Sequence, residues 1–286
     1  MYSLLFAGMV IFAQAELVSG PLEIVADGCA FTEGPVWLPS GKLVFSDIPN
    51  DTIFEVPKKE FRKPSGKSNG LAVDPEGRLI ACEHWNRRVS RTEKDGTITV
   101  LADTFEGKKL NSPNDAVVRS DGVIFFTDPP YGLEERTQEQ PVQGVYAILA
   151  DGTLKRIADD FKKPNGIGLS PDEKTLYVAD TDGGHIRSFA VAKDGSLSGG
   201  KVFCELKWPD GMAVDRQGHV WCTAEDGVQV FSPDGVRVTT VSTPATPANC
   251  GFGDTDLQTL YITARDSVYR IRTTVQGLYP AAQSAP

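Results

Sequence analysis

The sequence predicts an all-β fold, a six-bladed β-propeller with four antiparallel strands per blade. Three observations lead there. Six segments repeat one layout at intervals of 36 to 51 residues. Gly and Pro, 28 and 19 of 286 residues, punctuate short apolar runs. Helical periodicity is nearly absent, and a period of this length belongs to propeller blades, whereas sandwiches show no such recurrence.

Each copy opens on a polar residue followed mostly by Gly, then runs through a short apolar strand, a turn and a second apolar strand. The copies read EGPVWLPSGKLVFSD from Glu33, NGLAVDPEGRLIACEH from Asn69, NDAVVRSDGVIFFTD from Asn114, NGIGLSPDEKTLYVAD from Asn165, DGMAVDRQGHVWCTAE from Asp210 and NCGFGDTDLQTLYITAR from Asn249. A third strand follows every copy (DTIFEV, RRVSRTE, GVYAIL, HIRSFAV, GVQVFS, SVYRIR), alternating as a half-buried strand requires. A fourth follows an Asp-Gly turn in several, as in DGTITVLAD and DGTLKRIADD. An open ring would expose strand edges. The segment LEIVAD, Leu22 to Asp27, looks like a fourth strand and is expected to complete the last blade.

The division expected is an export signal over 1–15, the propeller over 16–275 and a loose tail over 276–286. Tyr2 to Ala15 carries no charge, and Ala13-Gln14-Ala15 fits a small-residue cleavage site, although no Lys or Arg precedes the apolar run. The run is short for a membrane span, so a periplasmic or extracellular location without stable membrane insertion is expected. The net charge of −9 argues against nucleic acid as a partner. Five scattered cysteines, with no CxxC spacing, leave room for one disulfide or for buried free thiols in Cys82 and Cys222.

The residues that open the copies carry the chemistry. If each first strand is innermost, Glu33, Asn69, Asn114, Asn165, Asp210 and Asn249 start at equal heights around one axis and ring one mouth of the channel. Asn and Asp are poor strand residues, and a buried carboxylate needs compensation. Hard oxygen donors suit one divalent cation, calcium first, with magnesium, manganese and zinc as alternatives. Glu33, Asn165 and Asp210 are the expected core ligands, with Asn114 binding the cation or the substrate. Asn69, Asn249, His84 and Tyr131 are assigned to the substrate, Tyr131 because its loop should overhang the mouth. Asp47, Asp128, Asp180 and Glu225, at the ends of second strands, are expected behind the ring.

The strings FTEGPVW, NGLAVDPEGRLIACEHWNRRVSR, SPNDAVVRSDGVIFFTDPPYG, KPNGIGLSPDEKTLYVAD and WPDGMAVD resemble the gluconolactonase and senescence-marker-protein (regucalcin-like) family over most of the chain. The resemblance implies a six-bladed propeller, a calcium-type cation on residues matching Glu33, Asn165 and Asp210, a substrate or metal contact at Asn114, and hydrolysis of aldonolactones. Three departures bear on substrate: Ser112 stands where some members carry Arg, Trp85 where Gly is usual, and Gly253-Asp254 where a Gly-Gly pair is common.

A lactonase acting on a small lactone or ester follows, with Asp210 as the first choice of general base and Asp115 as the second. No GxSxG, HExxH, P-loop or helix-opening GxGxxG competes. Two rivals stand beside it. One is a phosphotriester hydrolase like diisopropylfluorophosphatase and paraoxonase, whose calcium propellers use a similar ring. The other is a non-catalytic propeller that the cation only stiffens.

Overall fold

The structure, a computed structural model, describes residues 16–278. Six four-stranded antiparallel sheets are arranged as blades. Their innermost strands are Thr32–Leu38, Ser68–Val73, Ala116–Val118, Pro164–Leu169, Met212–Val214 and Asn249–Gly253. Strand Val18–Ala26 pairs antiparallel with Ser267–Thr273 and completes the sixth blade, so the first and last parts of the chain share one sheet and close the ring. A small hairpin, Thr104–Phe105 with Lys108–Lys109, lies between blades two and three and was not foreseen.

The second strands are buried along nearly their whole length and apolar through their middle because both of their faces are covered. Side chains alternate across a strand, so neighbours in sequence enter different clusters. Val44 packs toward blade two, Phe45 toward blade six. Phe126 faces blade two and Phe125 blade four; Cys222 faces blade four and Trp221 blade six. The core is therefore six clusters, one between each pair of adjacent blades. Fourth strands lie on the rim, where Ile98, Val100, Val202 and Ile24 stay exposed.

At the top of each blade the ladder gives way to bonds between blades. The pairing slips between Glu33 and Val36, between Ser68 and Leu71, and between Pro164 and Ile167. There the backbone turns to the neighbouring blade: Gly70 N–H donates to the Asn114 carbonyl at 2.7 Å, Gly166 N–H to Asp210 at 3.1 Å and Gly211 N–H to Ala248 at 2.8 Å. Second-strand hydroxyls add to this, Ser46 donating to the Asn69 carbonyl at 2.8 Å and Thr127 to the Asn165 carbonyl at 2.7 Å. Buried backbone groups are thus paired across the blade boundary.

One expectation is corrected, and one open alternative is decided. Residues 276–278, placed by the sequence in a loose tail, are held under blade five: Gly277 bridges Asp215, and Leu278 N–H donates to the Val214 carbonyl at 3.1 Å. Gly277 and Leu278 lack the alternation that marks a strand, but backbone bonding does not depend on side chains. The disulfide that export would permit is not formed, and all five cysteines are free, with Cys82, Cys204, Cys222 and Cys250 buried in the apolar clusters. The expected signal segment, 1–15, and residues 279–286 lie outside the described residues.

Candidate active site

The loops that carry the ring residues are anchored from behind. Asp47 accepts from the N–H groups of Ala30 and Phe31, Asp128 from that of Asn111, and Asp180 from those of Lys162 and Lys163. These carboxylates end the second strands and hold the segments leading into Glu33, Asn114 and Asn165. In blade two this position belongs to Glu83, whose carboxylate is bound by Arg62, Arg88, Asn86 and Ser90, so His84 is released to turn inward. Glu225, expected behind the ring, is instead exposed and paired with Lys207 at 2.7 Å; the hydroxyl of Thr223 does the anchoring in blade five, donating to the Ala248 carbonyl at 2.8 Å.

All six opening residues meet at one end of the channel. Glu33, Asn69, Asn114, Asn165 and Asn249 are buried and Asp210 is half-buried. Asn165 hydrogen-bonds Asp210, and its amide also lies 3.1 Å from the Thr181 hydroxyl and 3.4 Å from the Tyr131 hydroxyl. Asn249 bonds Glu33 and reaches Asp115 Oδ2 at 3.5 Å, while its own Oδ1 accepts from Cys250 N–H at 2.8 Å. Both polar ends of Asn249 are therefore engaged by the chain itself. Asn69 places its amide nitrogen 3.2 Å from His84 Nε2 and leaves its Oδ1 buried with no partner among the described residues.

Asp115 belongs to the same cluster, and its place explains the Gly that follows most ring residues. Four copies carry Gly34, Gly70, Gly166 or Gly211 at that position. A Cβ on Gly70 would stand 2.3 Å from Asp115 Oδ1 and 2.6 Å from the Asn114 carbonyl oxygen; one on Gly166 would stand 2.2 Å from the Asp210 carbonyl oxygen. The innermost strands approach too closely there for any other residue. Blade three alone puts a carboxylate into the space that the glycines leave. Below it runs a cavity of about 780 Å³, lined largely by apolar side chains such as Val36, Leu71, Ile167 and Phe252, with Asp115 at its head.

Three carboxylates thus face one small volume, Asp210 at its half-buried edge, and each disfavours the charge of the others. Burial pushes Glu33 up to about 7. Burial and the Glu33 charge push Asp115 up to about 8. Asp210 is raised as well, by burial and then by Glu33 and Asp115, against smaller opposing contributions from Asn165 and Arg265. His84 moves the other way, down to about 4, through burial and the nearby Arg136 and Lys67 charges. At neutral pH its imidazole is uncharged.

Among the described residues no three His, Cys, Asp or Glu side chains form a ready metal cluster. The ring mixes acids with amides instead, and it fits a hard divalent cation on two counts. The carboxylates lack a neutralising charge among themselves, and the Asn69 oxygen is buried and unpartnered.

The mouth is walled by the loop after blade three. Ser112, where some relatives in the resembled family carry Arg, donates its hydroxyl to the Pro129 carbonyl at 2.7 Å and accepts from Gly132 N–H at 2.8 Å. It holds the turn Tyr131–Leu133 over His84. Tyr131 is 41% exposed, its ring under Lys163 and its hydroxyl at Asn165. Trp85, half exposed, lies between Lys67 and Arg136, 4.9 and 4.5 Å from its ring centre.

Fold and site together define a six-bladed β-propeller with an acidic, amide-lined ring closing one end of its channel. The family profile described as SMP-30/gluconolactonase/LRE-like region matches residues 31–266, and the chain belongs to that family. A gluconolactonase from Zymomonas mobilis is 33% identical over 299 residues, spanning 91% of this chain and 83% of that protein. A solved gluconolactonase from Xanthomonas campestris superposes with a TM-score of 0.84 at 36% identity, covering 91% of each chain. Regucalcin from Agrobacterium tumefaciens, described as a calcium-binding protein, shares the fold with a TM-score of 0.71 at 18% identity, covering 92% of this chain and 99% of its own.

Proposed function

We propose that the chain is a lactonase opening a sugar lactone of the gluconolactone type, with one calcium-type divalent cation held by Glu33, Asn165 and Asp210 and with Asn114 beside it. The observation that carries this reading is the meeting of buried acids and amides from separate blades at one mouth of the channel. The family and its gluconolactonase members agree with it. When bound, a hard divalent cation supplies Lewis-acid polarisation of the lactone carbonyl.

The chain's own residues do the rest. Asn114 and Asn69 present amides to the substrate, and Tyr131 limits how the ring of the lactone can lie over Asn165. The neutral imidazole of His84 orients Asn69. Asp210 is the proposed base, taking a proton on Oδ from the attacking water, because it is the least covered acid of the ring. Asp115, set deeper at the head of the cavity, is the alternative.

The same carboxylates make cation binding depend on pH. In the unfolded chain they titrate near 4, so raised values in the folded protein cost stability progressively as pH climbs from about 4 to about 8. A cation binds the deprotonated forms and offsets that cost. Chelator-treated protein is expected to melt several degrees lower at pH 8.5 than at pH 5.5, and the gain on adding calcium is expected to be larger at the higher pH. Gluconolactone turnover should vanish with the chelator and return with calcium. Turnover indifferent to chelation would remove the cation from this reading, and no turnover under any loading would remove the lactonase.

Export is proposed on the sequence, and a chain starting at Glu16 would keep the contacts of this end of the propeller: the Glu16 carbonyl accepts from the Thr274 hydroxyl at 2.7 Å and Leu17 is buried in the last core cluster. Protein recovered from outside the cytoplasm should start at Glu16 on N-terminal sequencing. An intact Met1 there would count against it.

A further inference from the structure

Arg265 stands in the turn between strands Thr259–Ala264 and Ser267–Thr273, on the face of the propeller that carries the ring. Its carbonyl accepts from the N–H of Thr32 at 2.7 Å and from the Thr32 hydroxyl at 3.1 Å, which ties this turn to the residue preceding Glu33. The guanidinium lies over the ring of Phe31, 5.6 Å from its centre, and the side chain is exposed.

Its guanidinium donors are unused among the described residues, unlike those of Arg87 and Arg136 on the same face. In the corresponding turn of blade two, Arg87 bonds the Leu110 carbonyl at 2.6 Å and Glu139 at 2.9 Å. In that of blade one, Asp51 accepts from Ser65 N–H at 3.0 Å and Lys67 N–H at 2.7 Å. Other cations of this face are also taken: Lys67 by Glu134, Lys163 by Asp182 and Lys207 by Glu225, at 2.6, 3.2 and 2.7 Å. Arg136 spends its guanidinium on backbone carbonyls, among them Leu133 at 3.1 Å and His84 at 3.3 Å. Arg265 has no ion pair and no side-chain hydrogen bond among the described residues, yet its charge reaches Asp210. Ser112, where some members of the resembled family carry Arg, is spent on the Tyr131 loop.

We propose that Arg265 is a specificity-determining residue that binds a carboxylate on the substrate, so that the preferred lactone is an acidic one, with a carboxylate at the end remote from the reacting carbonyl. This rests on the lactonase reading above and names its substrate class. An anionic substrate nearing a ring of three acids needs a cation on the rim. A guanidinium held flat against an aromatic ring presents a planar fork of N–H donors that matches a carboxylate in two parallel bonds.

The test compares gluconolactone with glucarolactone, the same compound with its terminal hydroxymethyl oxidised to a carboxylate, on calcium-supplied wild type, Arg265→Ala and Arg265→Lys. The wild type is expected to have the lower KM for glucarolactone. In Arg265→Ala that KM should rise roughly 10- to 100-fold, the worth of a charged hydrogen-bonded pair, while KM for gluconolactone moves less than about threefold. Arg265→Lys should recover part of the loss, since it keeps the charge without the fork. Equal changes in KM for both lactones, or a common fall in kcat, would mean that Arg265 serves only to offset Asp210, and the proposal would be overturned. So would wild-type turnover of gluconolactone without that of glucarolactone. Turnover of neither lactone would overturn the underlying lactonase reading itself.

Discussion

Asp210→Ala and Glu33→Gln are each expected to lower gluconolactone turnover by about a thousandfold or more, the loss of several kcal/mol of transition-state stabilisation. Glu33→Gln is the more informative because it keeps the shape of a buried side chain and removes only its charge. The repulsion that raises Asp115 and Asp210 falls with it, since Glu33 acts on both. The chelator-treated Glu33→Gln protein should therefore melt higher than chelator-treated wild type at pH 8, even though its activity is lost. Activity assays at saturating calcium, run beside thermal melts, read both effects. Either variant keeping more than about a tenth of wild-type kcat/KM would refute the assignment of that side chain to the reaction.

Gly166→Ala is expected to have a large effect on stability through crowding alone. The added Cβ would meet the Asp210 carbonyl oxygen at 2.2 Å and Gly211 Cα at 2.8 Å, both backbone atoms with no rotamer to give way. Overpacking of this kind costs about 3 kcal/mol, or roughly 5 to 10 °C in Tm for a chain of this size. Asp210 would be pushed away from Asn165, so kcat should fall as well. Gly96→Ala supplies the comparison: it has open space around it and a φ of +85°, so only backbone strain applies, about 1 kcal/mol. Equal melting losses in the two variants would show that the crowding between blades four and five carries no energetic weight.

The blade count, the ring closure and the identity of the opening residues were legible because each repeats, or completes a repeat, at a readable spacing. The Gly after Glu33, Asn69, Asn165 and Asp210 was visible too, but its meaning was not, since a Gly in a strand can mark a bulge, a turn or a close approach. Its exception in blade three, Asp115, was the signal that a third acid enters the ring. His84 could be named from its place after a second strand, but the same rule put Glu225 behind the ring, and there it failed. Nothing in a string of residues tells whether a side chain at a strand end turns in toward the axis, as His84 does, or out to pair with Lys207, as Glu225 does.

Periodicity is a local property of the chain, and so the sequence by itself determined the number of blades, the order of strands within them and which polar residues sit at strand origins. The tertiary structure decided what those residues touch. Asn249 is spent on Glu33, Asp115 and Cys250; Ser112 on the Tyr131 loop; the Arg265 guanidinium, above Phe31, has no hydrogen-bond or ion-pair partner among the described residues. Contacts across a ring join segments some two hundred residues apart, and their distances follow from how six sheets pack against one another, a sum of many small packing terms that no single stretch of sequence contains.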